Sequence, residues 1–222
     1  PMARSQASLP LIARFYDKDG ALAREEFLGA LPRDHARQVK LDAALPGGYG
    51  HVELSYDFRA GGAGDGWIHA MFRYARRAAP AHAAETSFGS HIFNTALTFK
   101  NEPQSYIGRP PGLTTRLFLR LGTGAQDAFC HLIYPASTPW HATSDTVLEL
   151  TDSSGAKIAE AMLAIPCSGS RLWRVGETFA RADIAKAEGG YVLIRDRTCR
   201  LFGYHGLAEP DGRFSLDHMF GF

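Results

Sequence analysis

Apolar and polar residues alternate along this chain in short runs punctuated by Gly, Pro and Asp, the period-2 pattern of half-buried β-strands. Leu11 to Tyr16 reads as a strand that ends at Asp17-Lys18-Asp19-Gly20, where an Asp carboxylate bonds nearby amides and Gly supplies positive φ. A second strand runs over Leu22 to Leu31 and stops at Pro32, and a third is expected over Arg37 to Leu41. Further strands follow at His51 to Phe58 and Trp67 to Tyr74, separated by the Gly-dense stretch 59–66. That stretch lacks a Gly-Lys-Ser/Thr ending and opens no helix, so it reads as a plain hairpin loop and not a phosphate cradle. Ala75 to Glu85, rich in Ala and Arg and carrying Pro80, is expected to be a helical turn or a surface loop, and His91 to Phe99 returns to strand.

The later part of the chain repeats the same signals. Strands are expected at Leu113 to Leu121, Ala128 to Tyr134, Thr146 to Leu150, Ala156 to Ile165, Arg171 to Val175, Tyr191 to Arg195, Cys199 to His205 and Phe214 to Phe220. One short helix fits Thr178 to Glu188, stopped by Gly189-Gly190. Many short strands at spacings of about 8–12 residues, with no strand–helix alternation, predict an all-β protein of antiparallel sandwiches with little helix.

The order of signals points to an internal duplication. Asp152-Ser153-Ser154-Gly155 matches Asp17-Lys18-Asp19-Gly20, Ile165-Pro166 matches Leu31-Pro32, Gly189-Gly190-Tyr191 matches Gly47-Gly48-Tyr49, Tyr204 matches Tyr74, and His218 falls on His91. Two related β-sandwich units are therefore expected, residues 1–100 and 146–222, joined by residues 101–145, which supply a connecting loop and strands near the junction.

Composition narrows the function classes. The 222 residues carry 24 basic and 23 acidic side chains, and 45% are hydrophobic, which supports a packed core and gives no footprint for nucleic acid. Cys130, Cys167 and Cys199 form no close pair, as expected of a reducing, cytoplasmic setting. No apolar run suggests a leader or a membrane span, and Met2 is expected to be the natural start.

Candidate chemistry concentrates in a few places. His91 and His218 occupy corresponding strands and could face one shared cleft. The loop 101–112 mixes proline rigidity with Glu102, Gln104, Tyr106 and Arg109, and Trp140-His141 offers a flat ring beside a polar tip. The resulting expectation is a noncatalytic binding protein for a small molecule, a carbohydrate-like ligand or a protein partner, acting as a homo-oligomer. One alternative is an enzyme with a dispersed histidine site, general acid/base or metal-dependent, in which a divalent metal would be assembled from His91, His131, His205 and His218. A structural or assembly subunit is the other. No His-x-His or His-x-Asp pair supports the metal, so no cofactor is expected. Nor does any Gly-x-Ser-x-Gly elbow support a nucleophile, and Ser90-His91 and Cys130-His131 are strand neighbours pointing opposite ways.

Overall fold

The computed structural model describes residues 7–41, 45–57, 59, 66–92, 115–135 and 141–219, with the backbone path alone at 66–67 and 88–92. The chain is all-β with antiparallel sheets throughout. Strands β1 (Ser8–Asp17), β2 (Leu22–Pro32) and β3 (Gly50–Tyr56) form an N-terminal sheet in the order β2-β1-β3. Strands β4 (Gly66–Arg76) and β5 (Ala79–Ile92) form a long hairpin.

The remaining strands are β6 (Thr115–Arg120), β7 (Asp127–Ile133), β8 (Thr146–Thr151), β9 (Lys157–Leu163), β10 (Ser170–Arg174), β11 (Tyr191–Asp196), β12 (Phe202–Ala208) and β13 (Asp217–Met219). They build a front sheet, β6-β11-β8-β9, and a back sheet, β10-β7-β12-β13. Two short helices, α1 (Val175–Thr178) and α2 (Arg181–Lys186), replace the single helix expected over 178–188. No described helix is long and apolar enough to cross a membrane.

Strand alternation explains the main core. Leu117, Leu119, Leu148, Leu150, Val192 and Ile194 point inward from the front sheet and meet Ala128, Cys130, Leu132, Trp173 and Met219 of the back sheet. Each large apolar side chain buried this way contributes about 1.5–3 kcal/mol, against roughly 0–1 kcal/mol for an exposed ion pair, so burial and not charge holds this sandwich. A smaller cluster of Leu9, Leu11 and Tyr56, packed by Leu28, Leu31 and Ile68, joins the N-terminal sheet to β4.

Part of the sheet order recurs. β2-β1-β3 corresponds to β9-β8-β11, and both hairpins turn on an aspartate. Asp17 Oδ1 accepts the amides of Asp19 (3.0 Å) and Ala21 (2.9 Å), and Asp152 Oδ1 those of Ser154 (2.8 Å) and Ala156 (2.9 Å). Gly20 (φ 91°) and Gly155 (φ 86°) close the turns. In both hairpins the register shifts immediately before the turn, at Phe15/Tyr16 and at Leu150/Thr151.

Pairing also corrects the proposed matches. Asp17 lies opposite Gly50, and Thr151 opposite Tyr191, so the counterpart of Gly190 is Gly50 and not Gly48. A Cβ at Gly50 would strike the carbonyl of Tyr16, and one at Gly190 that of Thr151. In the closing hairpins, Trp67 pairs with His91, Tyr74 with Ala84, and Tyr204 with His218. The equivalences Tyr74–Tyr204 and His91–His218 therefore cannot both hold.

Two element assignments change. Arg37 to Leu41 is irregular and joins no ladder; its contact with β2 is through the Arg37 guanidinium, which bonds the Leu28 and Ala30 carbonyls. Ala75 to Glu85 is neither helix nor loop beyond the Arg77-Ala78 turn, since cross-strand pairing draws this Ala-rich stretch into β4 and β5.

Candidate functional site

The outer face of the back sheet is where the two halves of the chain meet. On β7, Ala128, Cys130 and Leu132 face the sandwich core, so Phe129, His131 and Ile133 face outward. Register then sets Leu172, His131, Tyr204 and His218 side by side across all four strands, with Ser170, Ile133 and Phe202 as the next row.

Both N-terminal sheets touch this face. Tyr49 meets the His131 ring edge-on at 5.8 Å and 79°, while His51 stacks on Tyr16 at 5.2 Å and 14°. On the other side Tyr74 packs against Tyr204 at 6.4 Å, and Arg76 Nη1 donates to the Gly212 carbonyl at 2.9 Å. The Asp17–Gly20 turn is seated on 166–170. Ser170 N donates to the Lys18 carbonyl at 3.0 Å, and Arg171 faces Asp19 at 3.7 Å.

Three enclosed polar atoms at this meeting have no hydrogen-bond partner: His51 Nδ1, His131 Nε2 and Ser170 Oγ. His51 is 6% exposed and Ser170 fully buried. His51 Nε2 lies 3.3 Å from Glu53 Oε1, and a carboxylate accepts, so Nε2 carries the hydrogen and Nδ1 presents a bare lone pair. Burial, then repulsion from His51, lowers the His131 pKa from 6.5 to about 4, which keeps the ring neutral at pH 7. Orphaned buried groups of this kind cost free energy, and a ligand or ordered water that bonded them would relieve it.

The sequence-expected residues divide clearly. His218 lies on the four-strand row with His131. The half-buried His205 sits opposite Asp217, its imidazole held below the usual range by burial and by His218 while Asp217 opposes the shift. His91 lies on β5 opposite Trp67, with only its backbone described. Glu102, Gln104, Tyr106, Arg109 and Trp140 fall outside the described residues. His141 is exposed; its amide donates to Tyr134 Oη at 3.4 Å, and Tyr134 Oη donates to its carbonyl at 3.2 Å. The shared-cleft expectation named His91 and His218, whereas the histidines drawn together across the two halves are His51 and His131.

Tyr16, Tyr49, His51 and Ser170 were not read as site residues. The available signal was in β7, which carries the large apolar Phe129 and Ile133 on the side away from the core, as a strand partly covered on both faces does. Among the described residues no group of three or more His, Cys, Asp or Glu side chains could hold a metal ion. Burial raises the thiol pKa of Cys130, Cys167 and Cys199 alike, so none of them is an activated thiolate. The chain matches no protein family, and comparison with curated proteins and with solved structures gave no match.

Proposed function

We propose that this is a noncatalytic binding protein whose outer back-sheet face, framed by the N-terminal sheet and the long hairpin, receives a neutral, hydroxyl-bearing small molecule such as a carbohydrate. The observation that carries this reading is the set of three unpartnered polar atoms, His51 Nδ1, His131 Nε2 and Ser170 Oγ, among the rings of Tyr16, Tyr49 and Tyr204. The His51 lone pair calls for a donor, a serine hydroxyl takes either role, and tyrosine rings offer flat apolar surface to a sugar ring or an aromatic alcohol. Neutrality follows from the balance of nearby charges. Arg14 is held by Glu25, Lys18 and Arg171 share Asp19, and the Glu53 carboxylate, which accepts from the neutral His51, offsets the remaining positive charge.

The recurrence of β2-β1-β3 as β9-β8-β11, with matching aspartate turns, supports an internal duplication in which the first copy has come to cover the second. A calorimetric screen of neutral sugars and uncharged alcohols against the whole chain tests the function. The reading expects saturable binding that Tyr204→Ala and His131→Gln each weaken at least about tenfold. Binding indifferent to both variants would overturn it, as would tight capture of a protein at this face with no small-molecule binding.

A further inference from the structure

His51 and His131 come from opposite sides of one contact, and each brings a buried ring nitrogen without a partner. We infer that this contact is an acid-opened junction: protonation of His131, enclosed against Tyr49 and His51 with no partner for its Nε2, releases the N-terminal sheet from the back sheet while the C-terminal sandwich stays folded. The inference concerns the ligand-free protein and does not depend on what the face binds.

The surrounding groups determine its direction. Facing the pair are Tyr16 from β1, Tyr49 and Glu53 from β3 and its approach, Cys167 before β10 and Arg171 in it, Lys18 and Asp19 in the turn, Tyr204 from β12 and His218 from β13, while Asp217 lies with His205 and Met219 on the opposite side of the back sheet. Glu53 is engaged by His51 Nε2, Lys18 and Arg171 by Asp19, and the tyrosines are uncharged in acid. No carboxylate offsets a charge on His131, and the ionising group that acts on it is His51, of like sign when protonated.

The sign of the linkage follows. His131 titrates near 4 with the junction closed and near 6.5 once the ring reaches water, so the open form binds more protons between those values. Closure is unaffected above about pH 6.5, weakens as pH falls through 6, and is weakened about a hundredfold by pH 4. The imidazole nearest the sandwich core is His205, half-buried opposite Cys130 on the back sheet and held down by burial while Asp217 opposes the shift; β8 and β11 of the front sheet carry no histidine and serve as the reference.

Hydrogen exchange on the whole chain, corrected for the intrinsic pH effect, tests this. Between pH 7 and pH 4, amides of β1 and β3 should lose about a hundredfold in protection while those of β8 and β11 keep theirs, and His131→Gln should abolish most of that loss. The imidazole carbon shifts of wild-type His131, followed in the same range, should give a midpoint near 4 and thus supply a readout should the variant not fold. Unchanged protection in β1 and β3, loss shared equally with β8 and β11, an undiminished loss in His131→Gln, or a His131 midpoint near 6.5 in the closed protein would each overturn the inference.

Discussion

Gly20 and Gly155 hold the same place in two matching aspartate turns, yet their surroundings differ. Gly155 has open space where a Cβ would stand, whereas a Cβ on Gly20 would strike the Cys167 carbonyl and crowd Gly169 N. Both have positive φ, which costs an alanine about 1 kcal/mol. Gly155→Ala should therefore destabilise by about 1 kcal/mol, and Gly20→Ala by more than about 2 kcal/mol because the turn must also lift from 166–170. Urea midpoints of the two variants against wild type check this, and equal losses would show that the turn does not bear on that segment.

Asp196 is a second position where one side chain decides the local structure. It is 1% exposed at the end of β11 and accepts from Thr146 Oγ1 (2.9 Å), Thr198 N (2.6 Å), Thr198 Oγ1 (2.8 Å) and Cys199 N (2.7 Å). Asp196→Ala leaves those donors unsatisfied and should cost about 3 kcal/mol by denaturant unfolding.

At the scale of elements, the strands with clean alternation or continuous apolar runs were legible. β1, β6, β7, β8 and β11 follow directly from the side-chain pattern, and the aspartate turns from Asp and Gly spacing. What failed did so for reasons local pattern does not carry. Ala75 to Glu85 has helix-favouring composition but becomes strand through its hairpin partner, and Arg37 to Leu41 alternates correctly but finds no partner to pair with. The site was legible only in part. His218 was expected at a cleft shared with His91, whereas the meeting of His51 with His131 depends on how one sheet lies against another, between residues far apart in the sequence. The parity of β7 announced a covered outer face without naming what covers it.

At the scale of the molecule, the two halves should differ in independence. The main core draws all its residues from Leu117 to Met219, whereas the N-terminal cluster is built on Leu9, Leu11 and Tyr56. A fragment of residues 113–222 should fold alone with the β-sheet circular dichroism of the whole chain, and residues 1–100 should not fold without it. Cooperative unfolding of the isolated 1–100 fragment would contradict that asymmetry.

The central claim is that the face where these halves meet binds a neutral hydroxyl-bearing molecule. It is tested most directly by following the imidazole and tyrosine ring signals of the whole protein while titrating neutral sugars and uncharged alcohols at pH 7. The prediction is that shifts concentrate on His51, His131, His218, Tyr49 and Tyr204. Shifts confined elsewhere, for instance to the open groove of about 470 Å³ formed by 121–128 and 175–184, would contradict the claim, as would no shift for any ligand at millimolar concentration.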